Sequence, residues 1–279
     1  MKRIVTIQDI SCVGKCSLTV ALPVISACGV EACVVPTAVL STHTAFDNFT
    51  FRDLTDEIIP ITQVWKKENI SFDAIYTGYM GSVTQLQLME KLFSDFKEEN
   101  TLVFVDPVLG DHGELYPGFT QEFADKMASL CSKADVIVPN LTEACYMLHE
   151  EYQESGYSEE YIKNILRRLG SLGCKNAVIT GVSFNEKELG VMAYNKETDS
   201  FYSYFAEKAK LSFPGTGDVF SSACVGALMK GLTLERALEI AVNFTVESIK
   251  ASIKDPLHRW YSVNFEEALP YLINELKNN

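Results

Sequence analysis

The chain has 279 residues, 47% of them hydrophobic, enough for one large α/β domain with a substantial core. Its formal net charge of −13 argues against nucleic acid or an anionic membrane as partner, because both reward a basic face. A small anionic substrate stays admissible, since local amides and a metal ion outweigh the global field at short range.

The N-terminal "MKRIVTIQDI" enters a strand pattern without an apolar leader. The eight Cys include no C-x-x-C pair, and no His pair sits at zinc spacing. Together these predict reduced thiols and a cytoplasmic location. No apolar run approaches the roughly 20 residues of a membrane span.

After the first strand, "RIVTIQD", residues 8–17 read "QDISCVGKCS". Its "VGKCS" imitates the tail of a P-loop, but Asp9 stands where the first Gly belongs and Cys16 where Ser or Thr belongs. A carboxylate there would repel phosphate, so the stretch predicts a strand running through a tight turn into a helix. That helix, "LTVALPVISACG", is closed by Gly29. The runs "EACVVPT", "FDAIYTGYMG", "TLVFVDPVLG", "ADVIVPN" and "NAVITGV" are rich in Val and Ile and do not alternate, as strands buried on both faces of a parallel sheet do not.

Helical patterns lie between them. In "LTDEIIPITQVWKKEN" (54–69), Pro60 predicts a kink or a split. "SVTQLQLMEKLFSDFKEEN" (82–100) starts on a capping Ser, and "FTQEFADKMASLCSKA" and "YSEEYIKNILRRLGSLG" are two more. "ELGVMAYN" and "SFYSYFAEK" predict an antiparallel edge around a turn at 195–200, followed by two long helices and a final one near 264–277. The alternation predicts a three-layer α/β/α fold with a mostly parallel sheet and an antiparallel edge. No composition break suggests a linker, so a single domain over 1–279 is expected. In such sheets ligands gather beyond the carboxyl ends of the strands. That rule selects Asp9, "PTAVLSTHT", "TGYMGS", "DPVLGDHGE", "PNLTE" and the Thr-Gly after "NAVI".

The strongest signal is "FPGTGDVFSSACVGALM" (213–229). Gly215 and Gly217 flank Thr216, letting the backbone turn its N–H groups inward at a helix start whose dipole favours an anion. Asp218 at the same place can take a proton from a hydroxyl while those amides stabilise the phosphoryl group it attacks.

"PGTGDVFSSA" resembles the signature of ribokinase-like small-molecule kinases. Within that superfamily the chain most resembles pyridoxal/pyridoxamine kinases, through "IVTIQDISCVG", "STHTAF", "TGYMGS", "VDPVLGDHGELY", "PNLTEA" and "PGTGD" in the family's order, over nearly the whole chain. The resemblance implies an ATP- and Mg2+-dependent enzyme of vitamin B6 salvage and a homodimer. Asp218 would be the base acting on the 5′-hydroxymethyl group, and the amides of Gly215, Thr216 and Gly217 the anion hole. Asp106 would lie beside metal and phosphates, Glu143 would act on magnesium through water, and Asn140 would support it and cap the helix. Thr180 would meet ATP phosphate, and "GDHGELYPG" (110–118), with three glycines, would be a moving lid over the nucleotide. His43 and Thr44 would line the ring pocket, Tyr79 would lie against the ring, and Asp9 and Ser11 would meet ring substituents. The glycines flanking Tyr79, at 78 and 81, suggest close approach to a ligand.

Asp9 departs from the pattern. Many pyridoxal kinases carry Ser there, and hydroxymethylpyrimidine kinases often carry Asp, whereas "STHT" and "TGYMGS" favour the pyridoxal side. A hydroxymethylpyrimidine kinase of the same fold is therefore the alternative, and a catalytically silent vitamin-binding sensor is a third reading. A sugar kinase is disfavoured by the lack of an early insertion that could cover a sugar.

Overall fold

The computed structural model describes residues 1–278. The chain opens with strand β1 (Arg3–Ser11), helix α1 (Leu18–Ala27), β2 (Glu31–Leu40), a short β3 (Phe51–Asp53), α2 (Thr55–Lys67), β4 (Ala74–Thr77) and α3 (Val83–Phe96). It continues through β5 (Leu102–Val105), β6 (Gly110–Asp111), β7 (Glu114–Leu115), α4 (Gln121–Cys131), β8 (Val136–Ile137), α5 (Leu141–Leu148) and α6 (Glu159–Leu172). It ends with β9 (Asn176–Asn185), β10 (Glu188–Asn195), β11 (Ser200–Glu207), α7 (Thr216–Met229), α8 (Leu234–Lys254) and α9 (Phe265–Lys277).

Nine strands form one sheet in the order β11-β10-β9-β8-β5-β4-β1-β2-β3. The six from β9 to β2 run parallel, and β10, β11 and β3 are antiparallel to their neighbours. The alternating side chains of the central strands fill two cores, as a sheet covered on both faces requires. Val5, Ile7, Ile75, Val103, Val105 and Ile137 pack under α2 to α6. Ile4, Tyr76, Phe104, Val136 and Val178 pack under α1, α7, α8 and α9. The three layers and the antiparallel edge at 188–207 agree with the expectation. The second antiparallel edge, β3, and the β6–β7 hairpin were not anticipated.

Pro60 neither splits nor ends α2, which runs unbroken from Thr55 to Lys67. The proline sits on the exposed face, and the carbonyl it deprives, that of Asp56, is also exposed and can turn to water. The helix is held instead by its buried side, through Ile58 and Thr62.

Strand order reverses between β1 and β4. The crevice beyond their carboxyl ends is where a doubly wound sheet offers a ligand site, and it holds Asp9 at the end of β1 and Tyr79 after β4.

Candidate active site

Helix α7 begins at Thr216, with Gly215 as its N-cap in the left-handed region at φ 84°. A side chain there would clash with the Lys15 carbonyl oxygen, which a Cβ would meet at 2.2 Å, so glycine is required twice over. The first bond into the helix runs from the Val219 N–H to the Gly215 carbonyl, 3.0 Å. No described residue accepts from the N–H groups of Gly215, Thr216, Gly217 or Asp218, and no side chain caps them. Four free amides at a helix N-terminus form an anion nest.

Asp218 is therefore the third helical residue rather than the cap. Burial pushes its carboxyl up to about 7, helped by the charges of Asp106 and Asp9 and opposed by a hydrogen bond from the Ser17 backbone N–H. The residue remains partly open to the cleft. A carboxyl titrating near neutrality at the lip of an anion nest is matched to accepting an alcohol proton.

Asp106 follows β5, its N–H fixed to the Thr77 carbonyl at 2.9 Å. Ser221, one turn beyond Asp218, donates to Asp106 Oδ2 at 2.7 Å. That bond between residues 115 apart in sequence ties the start of α7 to the middle of the sheet. Burial lifts Asp106 to about 6, against the Ser221 hydrogen bond.

Asn140 and Glu143 form a reciprocal capping box on α5: Asn140 Oδ1 accepts from the Glu143 N–H at 2.9 Å, and Glu143 Oε2 from the Asn140 N–H at 2.8 Å. Glu143 Oε1 accepts from the Leu109 N–H at 3.0 Å. Burial and then the Asp106 charge hold the Glu143 carboxyl well above the usual carboxylate range. Thr180 donates to the Pro139 carbonyl at 3.4 Å, on the strand beside Asn140.

The 110–118 segment is the β6–β7 hairpin, seated on α5. Asn140 Nδ2 donates to the Gly110 carbonyl (2.8 Å), the Gly113 N–H to Thr142 Oγ1 (2.9 Å) and the Tyr146 hydroxyl to the Gly113 carbonyl (3.2 Å). Burial, followed by the charges of Glu143, Asp111, Asp106 and Asp218, disfavours the phenolate of Tyr116 in this segment. Sequence reasoning passed over Tyr116, Ser17 and Ser221. A tyrosine in a loop already suspected of covering the site was a usable signal for the first; the other two carried none.

On the acceptor side, Ser11 donates to Asp9 Oδ2 at 2.9 Å, and both residues are buried. Burial raises the Asp9 carboxyl, while hydrogen bonds from Ser17 and Ser11 pull it down. Tyr79 is half-buried, 5.8 Å from Phe119 between ring centroids, and burial followed by the Asp9 charge raises its hydroxyl. His43 is buried with both nitrogens engaged: Nδ1 accepts from the Ala45 N–H (3.2 Å), so Nε2 carries the proton to the Tyr261 carbonyl (2.8 Å). Thr44 is exposed. At Gly78 a Cβ would meet the Gln8 side chain at 2.8 Å, so protein packing by itself calls for that glycine. Lys15 pairs with Glu266 at 2.8 Å and Asn264 at 3.2 Å. The false P-loop lysine thus serves the protein's own carboxylate.

A mostly parallel nine-stranded sheet with antiparallel edges between two helix layers is the architecture of the ribokinase-like small-molecule kinases. The comparisons agree. The sequence model of the phosphomethylpyrimidine kinase family matches residues 19–259, and the chain belongs to that family. A Bacteroides thetaiotaomicron protein, provisionally described as a phosphomethylpyrimidine kinase and crystallised with pyridoxal, is 40% identical with a TM-score of 0.92, over 97% of this chain and 95% of that one. The pyridoxal kinase of Lactobacillus plantarum is 28% identical with a TM-score of 0.91, covering 100% and 99%. The Dictyostelium discoideum pyridoxal kinase is 24% identical over 295 residues, 98% of this chain and 96% of its relative. The resemblance to pyridoxal kinases is borne out. No described helix is long and apolar enough to cross a membrane.

Proposed function

We propose that the protein, acting as a single kinase domain, transfers the terminal phosphoryl group of ATP to the 5′-hydroxymethyl group of pyridoxal, pyridoxamine or pyridoxine. The observation that carries this is the juxtaposition of Asp218 with the unbonded amides of Gly215, Thr216 and Gly217. One helix turn offers an acceptor for the alcohol proton and donors for the charge that develops on the phosphoryl oxygens. Asp218 takes the proton as the alcohol oxygen attacks, and the amides hold the transferring group, aligned by the helix dipole.

Magnesium fits the residues present in a limited way. Among the described residues no group of three or more acidic, His or Cys side chains could hold a metal alone. Magnesium suits that, since it keeps waters and is held by one or two carboxylates plus substrate phosphates. Among the described residues no hydrogen bond reaches Asp106 Oδ1, while Oδ2 accepts from Ser221. Both Glu143 oxygens are taken by backbone N–H groups, which favours contact through water. Bound there, the ion would neutralise phosphate charge. Thr180 and Asn140 complete the nucleotide side, and the 110–118 hairpin covers it. Asp9, Ser11, Tyr79, His43 and Thr44 belong to the acceptor side, the first three lining the ring and the last two shaping its border.

Pyridoxal is favoured by the 40%-identical Bacteroides protein crystallised with it. Hydroxymethylpyrimidine is the second reading, favoured by the family's description and by Asp9. The test supplies MgATP with pyridoxal, pyridoxamine, pyridoxine and hydroxymethylpyrimidine in parallel and identifies products by mass. Monophosphates of the B6 vitamers with the higher kcat/KM are expected; a large preference for hydroxymethylpyrimidine overturns the acceptor assignment.

A further inference from the structure

The lysine of "VGKCS" has no task in the proposed chemistry, yet the turn that carries it is strained and borders both halves of the site. Gly14 lies at φ 120°, Lys15 at 50° and Ser17 at 53° with ψ −126°. Positive φ at a lysine and a serine is costly, and it persists only where the surroundings over-determine it. The bent backbone aims several groups. The Ser17 N–H donates to the Asp218 carboxylate, and the Ser17 hydroxyl goes to Asp9 rather than capping α1. The Lys15 carbonyl lies against Gly215, the first residue of the anion nest, where a Cβ would meet it at 2.2 Å. Gly14 lies against the His43 ring, which a Cβ there would also meet at 2.2 Å.

What holds the turn comes from the other end of the chain. Lys15 Nζ donates to Glu266 Oε2 at 2.8 Å and to Asn264 Oδ1 at 3.2 Å, and it lies 5.8 Å from the centre of the Phe265 ring. Asn264 is itself pinned to the end of α8. Its N–H donates to Ser252 Oγ at 2.7 Å, and its Nδ2 to Asp255 Oδ2 at 3.1 Å. Ser252 is buried and donates to the Ser248 carbonyl at 3.0 Å. Helix α8 packs along α7, which carries Asp218. The contacts therefore close a ring: base to α7, α7 to α8, α8 to Asn264, Asn264 to Lys15, and the turn back to the base. The Lys15 side chain is 31% exposed and that of Glu266 50%, so the pair adds little stability and serves to fix a position.

Resting on the proposed function, we infer that Lys15 is a positioning residue: tied to Asn264 and Glu266, it clamps the 14–17 turn so that Ser17 presents its N–H to Asp218 and the Lys15 carbonyl seats Gly215. Its ammonium is committed to α9 and takes no part in binding substrate. It acts through the backbone, and the start of α9 becomes part of the catalytic framework. Without the clamp the turn relaxes, and the base and the nest lose their mutual alignment. Small displacements of this kind slow a reaction far more than they weaken binding.

The experiment compares wild type, Lys15→Met and Lys15→Arg. Methionine keeps an unbranched stem beside Phe265 and donates nothing; arginine keeps the charge and the donors. Phosphoryl transfer from MgATP to pyridoxal is followed in single turnover at saturating substrates, and KM for each substrate is measured in the steady state. Lys15→Met is expected to transfer about tenfold more slowly, with both KM values within about threefold of wild type, and Lys15→Arg to recover most of the rate. A Lys15→Met rate within about threefold of wild type, a loss carried by KM alone, or an arginine variant as slow as the methionine one overturns the inference. If wild type phosphorylates no B6 vitamer, the proposed function fails; if it does and Lys15→Met keeps pace with it, only the role of Lys15 fails.

Discussion

Replacing Asp218 by Asn has opposite consequences for activity and stability, and the second follows from burial. The carboxyl of Asp218 sits near 7 against an ordinary value of 3.8. An acid whose proton affinity is raised on folding destabilises the native state once ionised. Below about pH 4 both states hold the proton and nothing is lost. Between about 4 and 7 the unfolded chain releases it and the folded chain keeps it, so stability falls by about 1.4 kcal/mol per pH unit. Above about 7 the loss levels off at roughly 4 kcal/mol, and partial opening to the cleft brings this nearer 2. Asparagine keeps the acceptor for the Ser17 N–H and never ionises. Urea unfolding by circular dichroism at pH 5 and pH 8 should find Asp218→Asn ahead of wild type at pH 8, by about 2–4 kcal/mol, and ahead by about 1–1.5 kcal/mol at pH 5. Phosphoryl transfer should fall by at least about 10²-fold in the same protein, with nucleotide affinity near normal. A stability difference independent of pH, or a variant weaker than wild type at pH 8, would refute the reasoning.

Three further outcomes follow from the same geometry. The acid limb of kcat/KM should lie near pH 7 rather than near 4, because the base must be unprotonated and burial raises Asp218; a limb near 4 in the pH–rate profile contradicts this. Ser221→Ala removes the 2.7 Å donor to Asp106, so that carboxyl should rise above about 6. At pH 8 the variant should lose about 1–3 kcal/mol in denaturant titration and show a raised KM for ATP, and an unchanged KM counts against Asp106 at the phosphates. Tyr79→Ala should raise the acceptor's KM about tenfold with little change for ATP, as steady-state kinetics with each substrate varied will show; the reverse would misplace the pocket.

Much of this architecture is legible in the chain because the signals are local. Apolar runs ending in Asp9, "TGY", Asp106 and Asn140 mark strand ends, and strand ends share one rim in a doubly wound sheet. "PGTGD" carries its own mechanism, since glycines and a helix start are enough to present amides. The elements that escaped are those whose cause is distant or small. β3 has 3 residues and β6 and β7 have 2 each, too short for any period. The split expected as one outcome at Pro60 does not occur, because the proline's cost depends on whether the deprived carbonyl meets water, which is a tertiary property. Ser221 and Ser17 matter through partners that only the fold brings near. Gly78 shows the converse: a glycine beside a suspected ligand pocket was needed by Gln8.

The central claim is that one carboxylate at the first turn of α7 faces the acceptor's alcohol while the neighbouring amides face the phosphoryl group. Crystallography of the protein with pyridoxine and a non-hydrolysable ATP analogue measures this directly. The account predicts Asp218 within about 2.6–3.2 Å of the 5′ oxygen, and the terminal phosphate on the N–H groups of Gly215, Thr216 and Gly217. An Asp218 carboxylate turned to solvent, with both substrates bound elsewhere, would contradict it.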